Sequence, residues 1–118
     1  MRRYHHISFQ HAFDGLAATF KNQPNLRVHF IVTVLVLGAS LYFKVTRIEW
    51  LILLFTIMWV LVSEMINSVV EAICDLLVSE YNREVKYAKD VASGMVLIGA
   101  MGAVVVGLVI FLPYLFKL

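Results

Sequence analysis

Residues 50–78 read WLILLFTIMWVLVSEMINSVVEAICDLLV, and this stretch decides the fold. Residues 50–62 form an apolar run that extends about 20 Å as a helix. Residues 63–78 follow directly and carry polar side chains at helical spacing. A helix that is apolar in one half and polar along one face in the other predicts a membrane crossing with a polar site at one end.

Four side chains form the polar face, which we call the acidic stripe: Glu64, Asn67, Glu71 and Asp75. They are spaced by three, four and four residues, so at about 100° per residue they lie within an arc of roughly 80°. Acidic groups at bilayer depth are penalised by about 2.5 kcal/mol or more each, even on lenient scales. The stripe is therefore the strongest indication of a functional site.

The composition identifies a membrane protein. The chain has 118 residues, of which 61% are hydrophobic and only 15% charged, and its mean hydropathy is +0.83. A soluble domain of this size needs more surface charge. The net charge of +2 comes from scattered Lys and Arg without a basic cluster, so nucleic acid is excluded as a partner.

The apolar segments predict three membrane spans, at residues 26–44, 49–78 and 85–116. Before them, Phe9, Phe13, Leu16 and Phe20 recur at helical spacing, which predicts an amphipathic surface helix over residues 4–21. The alternative is a cytosolic helix packed on another subunit. The expected fold is an all-α integral membrane protein in which residues 1–118 form one domain.

The positive residues beside the spans predict the orientation. Seven lie on one side of the membrane and three on the other, which places the N-terminus in the cytoplasm and the C-terminus outside. The cytoplasmic set is Arg2, Arg3, Lys21, Arg27, Arg83, Lys86 and Lys89, and the outer set is Lys44, Arg47 and Lys117. The acidic stripe then lies near the cytoplasmic surface, close to the level of Lys89 and Asp90.

Small residues in the third span predict self-association. Gly99, Ala103 and Gly107 are spaced by four residues, which lets helices approach closely in lipid. Three short spans enclose little volume, so we expect a homo-oligomer that sequesters the polar face.

The residues alone leave two functions open. Carboxylates can hold Mg²⁺ together with substrate phosphates, Lys89 offers a positive charge to phosphate oxygens, and Glu64 could act as a general base for a lipid hydroxyl. Intramembrane carboxylates also mark ion or proton pathways, so a small oligomeric conductor is an equal alternative at this point.

Two segments bear a specific family resemblance. EMINSVVEAICD at 64–75 resembles the E-x-x-N-[ST]-x-x-E-x-x-x-D motif of the prokaryotic diacylglycerol kinase and undecaprenol kinase family, and AKDVASG at 88–94 is similar to its A-K-D-x-[AGS]-[AS]-[AG] segment. The resemblance covers essentially the whole chain. It implies a homotrimer that uses ATP and Mg²⁺ to phosphorylate a lipid alcohol, with active sites shared between subunits at the cytoplasmic interface.

The resemblance also implies roles for single residues. Glu64 would be the general base, Asn67 would position groups around the phosphate, and Glu71 would hold Mg²⁺. Lys89 would contact the phosphates of ATP, and Asp90 would contact its adenosine portion.

Three further positions are assigned with alternatives. Asp75 matches a family position that is more structural than catalytic. Arg27 is placed with the ATP-binding residues, although snorkelling from the end of the span explains it equally well. Gln23 stands where members commonly have a metal-binding Glu, and a Gln amide oxygen is a weaker magnesium ligand. Two explanations are open: the enzyme holds the metal less efficiently with Gln23 or Asp14, or the chain has diverged to low activity. The other site residues that the resemblance implies are all present, which favours retained kinase activity.

The resemblance extends to a subtype. Asn25-x-Arg27-x-His29 and residues 110–114 are similar to the Gram-positive type, whose members phosphorylate undecaprenol. Undecaprenol therefore ranks ahead of diacylglycerol as the expected substrate.

Overall fold

Every element that the structure describes is an α-helix. A computed structural model describes residues 9–117. It contains α1 (Phe9–Asn22), α2 (Pro24–Phe43), α3 (Arg47–Leu77) and α4 (Arg83–Phe116). Helices α2, α3 and α4 are each long and apolar enough to cross a membrane. The predicted all-α membrane fold with three spans is confirmed, whereas residues 4–8 of the predicted surface helix lie outside the described residues.

Helix α1 presents an apolar face that residues 9–117 leave largely exposed. Phe9 and Phe13 are 77% and 68% exposed, and Leu16 and Phe20 are also exposed. The ring of Phe20 contacts that of Phe30 edge-on, with 5.4 Å between centroids, and so links α1 to α2. A helix with such a face suits the boundary between lipid and water.

The three spans begin two residues before their predicted starts, because local capping sets each boundary. Pro24 occupies the first turn of α2, where its missing N–H costs no hydrogen bond. Thr46 and Glu49 form a reciprocal capping box at the start of α3. The Asn82 side chain accepts hydrogen bonds from the first turn of α4, at 2.9 and 3.2 Å. The polar contacts extend α3 and α4 beyond their apolar runs, and the fixed backbone angle of Pro24 allows α2 to begin there.

Helices α3 and α4 form the principal hairpin of the chain. At Gly99 the backbone of α4 approaches α3 so closely that an added Cβ would lie 3.2 Å from Trp59 Nε1 and 3.6 Å from Ser63 Oγ. A side chain at this position would require Trp59 or the helix backbone to shift by a few tenths of an ångström, so Gly suits this member of the predicted small-residue stripe.

A small apolar core closes the end of the hairpin where α3 begins and α4 ends. Val45, Leu53 and Ile110 are buried there. Beside them the hydroxyl of Tyr114 donates a hydrogen bond to the Glu49 carboxylate. This contact joins the first turn of α3 to the last turn of α4 and fixes the relative register of the two long helices.

Most large apolar side chains of the three spans point outward. In the most apolar 18-residue window of α4, for example, only 11% of the residues are buried. Leu97, Ile98 and Met101 on α4 are all exposed. A water-soluble protein would not leave such surfaces uncovered, so these faces require an apolar environment outside the chain.

Candidate active site

Glu64 is the buried acidic residue of the stripe. It lies in the second half of α3, and only 1% of its surface is exposed. Its Oε2 atom accepts no hydrogen bond from any described residue. Burying a carboxylate without a donor is costly, so the position of Glu64 requires a reason other than stability.

A titratable side chain of α2, His29, lies beside the Glu64 carboxylate. The distance from His29 Nε2 to Glu64 Oε2 is 3.7 Å, longer than a hydrogen bond, and the His29 side chain is 23% exposed. His29 therefore brings a titratable group from a different span to the buried carboxylate.

An apolar cleft of about 460 Å³ opens between α2, α3 and α4. Its walls come from all three spans and include His29, Thr33, Thr56, Ala100, Gly107 and Phe111. His29 thus faces the cleft and also lies beside Glu64. The cleft is of a kind that suits a hydrocarbon chain, because few of its lining residues are polar.

Helix packing places Glu64 deep in the hairpin. Gly99 brings α4 against Trp59 and Ser63, the residue before Glu64. The Ser63 hydroxyl donates to the carbonyl oxygen of Trp59 at 2.7 Å, so this buried polar group is satisfied within α3. The Ser68 hydroxyl donates to the backbone carbonyl of Glu64 at 3.0 Å, which leaves the Glu64 carboxylate available for other partners.

Lys89 and Asp75 join the far end of the stripe to α4. The distance from Lys89 Nζ to Asp75 Oδ1 is 2.6 Å, and both side chains are partly exposed. Helix α4 therefore returns Lys89 to the level of the last stripe residue, about one helical turn beyond Glu71. The contact directs the Lys89 ammonium group toward α3.

Asp90 has a partner on its own helix. Lys86 Nζ lies 2.5 Å from Asp90 Oδ2, one turn away along α4, and both side chains are largely exposed. Lys86 is not among the predicted site residues. An exposed pair at this spacing contributes little to stability, and it leaves Asp90 accessible from water.

The other predicted residues lie at the same end of the molecule with different exposure. Asn67 is half-buried, and Glu71 and Arg27 are exposed. Gln23 is a half-buried residue between α1 and α2, and its side chain makes no capping hydrogen bond. Among residues 9–117 no three His, Cys, Asp or Glu side chains are grouped closely enough to hold a metal ion together.

Comparison with known proteins decides the family. The model of the prokaryotic diacylglycerol kinase family matches residues 10–111. The chain belongs to this family. The match includes the acidic stripe and the Lys89-Asp90 pair, so it confirms the resemblance inferred from the two motifs and identifies the chain as a member of a lipid kinase family, for which ATP is the phosphoryl donor.

Individual relatives carry two different names. The diacylglycerol kinase of Synechocystis is 35% identical over 113 residues, which cover 95% of this chain but 65% of that protein. The undecaprenol kinase of Bacillus subtilis is 32% identical over 108 residues, covering 92% of this chain and 88% of that protein. The diacylglycerol kinase of Escherichia coli is 30% identical over 95 residues, covering 80% and 78% respectively.

One site residue was missed in the sequence. The predicted roles pass over His29, which lies at the start of the first span and enters the sequence argument only through the subtype pattern. Its contact with Glu64 joins α2 to α3 across 35 positions of sequence, and no periodicity within a single helix reveals such a pair.

Proposed function

We propose that this protein transfers the γ-phosphoryl group of ATP to the hydroxyl of a membrane lipid, and that undecaprenol is the preferred lipid. The observation that carries this proposal is the buried Glu64, whose Oε2 atom lacks a hydrogen-bond donor. A carboxylate kept unsatisfied beside an apolar cleft has a binding or catalytic purpose. Membership of the prokaryotic diacylglycerol kinase family favours a kinase over an ion conductor as the explanation of this buried carboxylate.

The proposed reaction needs a general base beside the hydroxyl group of the bound lipid. The Glu64 carboxylate accepts the hydroxyl proton as the lipid oxygen forms a bond to the γ-phosphorus. The bond between that phosphorus and the bridging oxygen of ADP breaks, and ADP leaves with the electron pair. The proton remains on Glu64 until it is released to water. Glu64 is therefore the catalytic residue of the proposal.

Phosphoryl transfer depends mainly on positioning and on charge around the phosphate. Lys89 supplies a positive charge for the phosphate oxygens, and its contact with Asp75 supports this by directing it toward α3. Asn67 offers an amide donor between Glu64 and Glu71 on the same helix face. We assign Asp90 to the adenosine portion and Arg27 to the phosphates, and both residues are exposed.

The donor chemistry at this end of the molecule fits Mg²⁺. Glu71 offers an exposed carboxylate and Gln23 an amide oxygen, and both are oxygen ligands of the kind that Mg²⁺ takes together with substrate phosphates. When bound, Mg²⁺ would neutralise charge on the phosphate oxygens of ATP. In our proposal Glu71 is the principal protein ligand, and Gln23 is a weaker one than the Glu that family members commonly have there.

The choice of lipid rests on the sequence pattern. The Asn25-x-Arg27-x-His29 segment supports the undecaprenol type. Sequence identity does not rank the two lipids, because the undecaprenol kinase of Bacillus subtilis is 32% identical and the diacylglycerol kinase of Synechocystis 35%. Diacylglycerol is the alternative substrate.

The proposal includes assembly and orientation. We infer a homotrimer in the bacterial inner membrane with the acidic stripe on the cytoplasmic side, where ATP is available. The uncovered faces of the three spans support assembly with other copies, and the charge asymmetry of the flanking segments supports the orientation.

An assay with purified protein in mixed micelles tests the function. The protein would receive labelled ATP with undecaprenol or diacylglycerol in turn, with and without Mg²⁺. We expect phosphorylated undecaprenol that forms only with Mg²⁺ and at a higher rate than phosphatidic acid. Absence of any labelled lipid, or full activity in Glu64→Gln, would refute the proposal. Faster phosphorylation of diacylglycerol would reject undecaprenol alone.

A further inference from the structure

The buried Oε2 atom of Glu64 has no hydrogen-bond donor among the described residues. A buried ionised carboxylate is stable only when a donor or a positive charge faces it. Ser68 and Ser63 direct their hydroxyls to backbone carbonyls, at 3.0 and 2.7 Å, so neither serves the carboxylate. Next to Ser63, α4 presents Gly99, which has no side chain to offer. Helices α3 and α4 therefore supply no hydrogen-bond donor to Glu64 Oε2 among the described residues.

Helix α2 supplies the missing group. His29 Nε2 lies 3.7 Å from Glu64 Oε2, and a movement of about 0.8 Å would bring the two atoms to ordinary hydrogen-bond length. The backbone of His29 is anchored, because its carbonyl accepts a 2.7 Å hydrogen bond from the Thr33 hydroxyl. The imidazole also lines the apolar cleft. Thus the ring lies between the carboxylate and the space in which a lipid chain could enter.

We propose that His29 is a positioning residue that donates its Nε2 proton to Glu64 Oε2 and turns the other carboxylate oxygen toward the lipid hydroxyl. This inference rests on the function proposed above. Either the neutral ring with its proton on Nε2 or the protonated ring can donate this bond, so the interaction requires no particular pH. The bond also gives the buried charge a partner that does not compete for the hydroxyl proton.

Three substitutions separate this role from simple packing. His29→Ala removes the donor, and we expect kcat to fall by about 10- to 100-fold, as for loss of a group that orients a ligand or base. The KM for ATP should stay within about twofold, because ATP binds through other residues. His29→Gln places an amide NH₂ near the position of Nε2 and should recover most of the loss. His29→Asn places its amide closer to the backbone, out of reach of Glu64, and should resemble His29→Ala.

The rescue pattern decides the outcome. Unchanged kcat in His29→Ala, or equal losses in the Gln and Asn variants, would overturn the proposal. The trimer-sized species and the thermal midpoint of each variant would be measured in the same detergent, so that a folding defect is not mistaken for a kinetic one. His11→Gln is the matched control on the surface helix and should leave kcat unchanged.

A spectroscopic measurement tests the contact without any lipid or ATP. Protein labelled with ¹⁵N-histidine would be compared with Glu64→Gln and, as a control, Glu71→Gln. We expect the ring resonances of His29, assigned from their loss in His29→Gln, to change only in Glu64→Gln. Unchanged resonances would overturn the contact and the proposal with it. If the resonances respond but the wild-type protein phosphorylates neither lipid, the contact is real and the proposed function is wrong.

Discussion

Lys89 of α4 is joined to Asp75 of α3 across the turn of the hairpin, with 2.6 Å between Nζ and Oδ1. The two residues are separated by a polar link, and Asn82 in that link caps α4 and so determines where Lys89 lies on the helix. A pair this exposed adds little stability. Its value is geometric, since it directs a flexible lysine toward the site where we place the phosphates.

Asp75→Asn should weaken ATP binding without removing activity. The amide no longer attracts Lys89, and we expect the KM for ATP to rise by about three- to tenfold, as for a charged contact that is loosened rather than lost, while kcat changes by less than about twofold. Steady-state kinetics at saturating lipid would measure both. Glu80→Gln, an exposed acid in the link, is the control and should alter neither constant. A kcat collapse in Asp75→Asn with unchanged KM would instead assign Asp75 to the chemistry.

Glu64→Gln should abolish most activity while leaving the fold intact or more stable. Removal of a general base lowers kcat by about 10²- to 10⁴-fold. Gln has nearly the same shape and carries no charge, so the cost of burying a carboxylate disappears and the thermal midpoint should stay level or rise. Kinetics and thermal unfolding in one detergent would report both effects. Loss of activity accompanied by a large fall in the midpoint would indicate that Glu64 is structural.

Periodicity within single helices was sufficient to predict the fold. The apolar run at 50–62 and the charge-free stretch at 91–116 lie in spans that the structure confirms as long and apolar enough to cross a membrane. The exact helix starts were missed by two residues because they depend on side-chain caps such as Thr46 and Asn82, whose hydrogen bonds extend a helix past its apolar segment.

The site was only partly predictable for a related reason. The acidic stripe lies on one helix, so its spacing was visible in the sequence. The contacts from His29 to Glu64 and from Lys89 to Asp75 each join two helices, and the way those helices pack determines them. The roles assigned to Glu64, Asn67, Glu71, Lys89, Asp90, Arg27 and Gln23 remain predictions.

Gln23→Glu should strengthen the binding of Mg²⁺ that supports activity. A carboxylate binds this hard cation better than a neutral amide, so the Mg²⁺ concentration that gives half-maximal activity should fall severalfold if residue 23 faces the metal. Lipid phosphorylation over a range of Mg²⁺ concentrations would measure it. Asn22→Asp, which adds the same charge one residue earlier in the last turn of α1, controls for general electrostatic attraction. Equal responses in both variants would show that residue 23 is not a ligand.

Gly99→Ala should destabilise the hairpin and disturb the site. Its new Cβ would lie 3.2 Å from Trp59 Nε1, so the Trp59 ring or the backbone of α4 must shift by a few tenths of an ångström beside Ser63 and Glu64. Overpacking of this kind costs about 1–3 kcal/mol. We expect a lower thermal midpoint and a reduced kcat, because the backbone that holds Glu64 shifts.

Gly102→Ala is the matched control, because a Cβ there meets no atom of the described residues within 4 Å. In a helix this change alone favours folding by about 0.5–1 kcal/mol, so its midpoint should not fall. If Gly99→Ala proves as stable and active as the wild type, the close approach of α3 and α4 is not required. If Gly102→Ala is the more damaging change, a neighbouring copy contacts α4 at that face, and the loss should be accompanied by a smaller assembly in size-exclusion measurements.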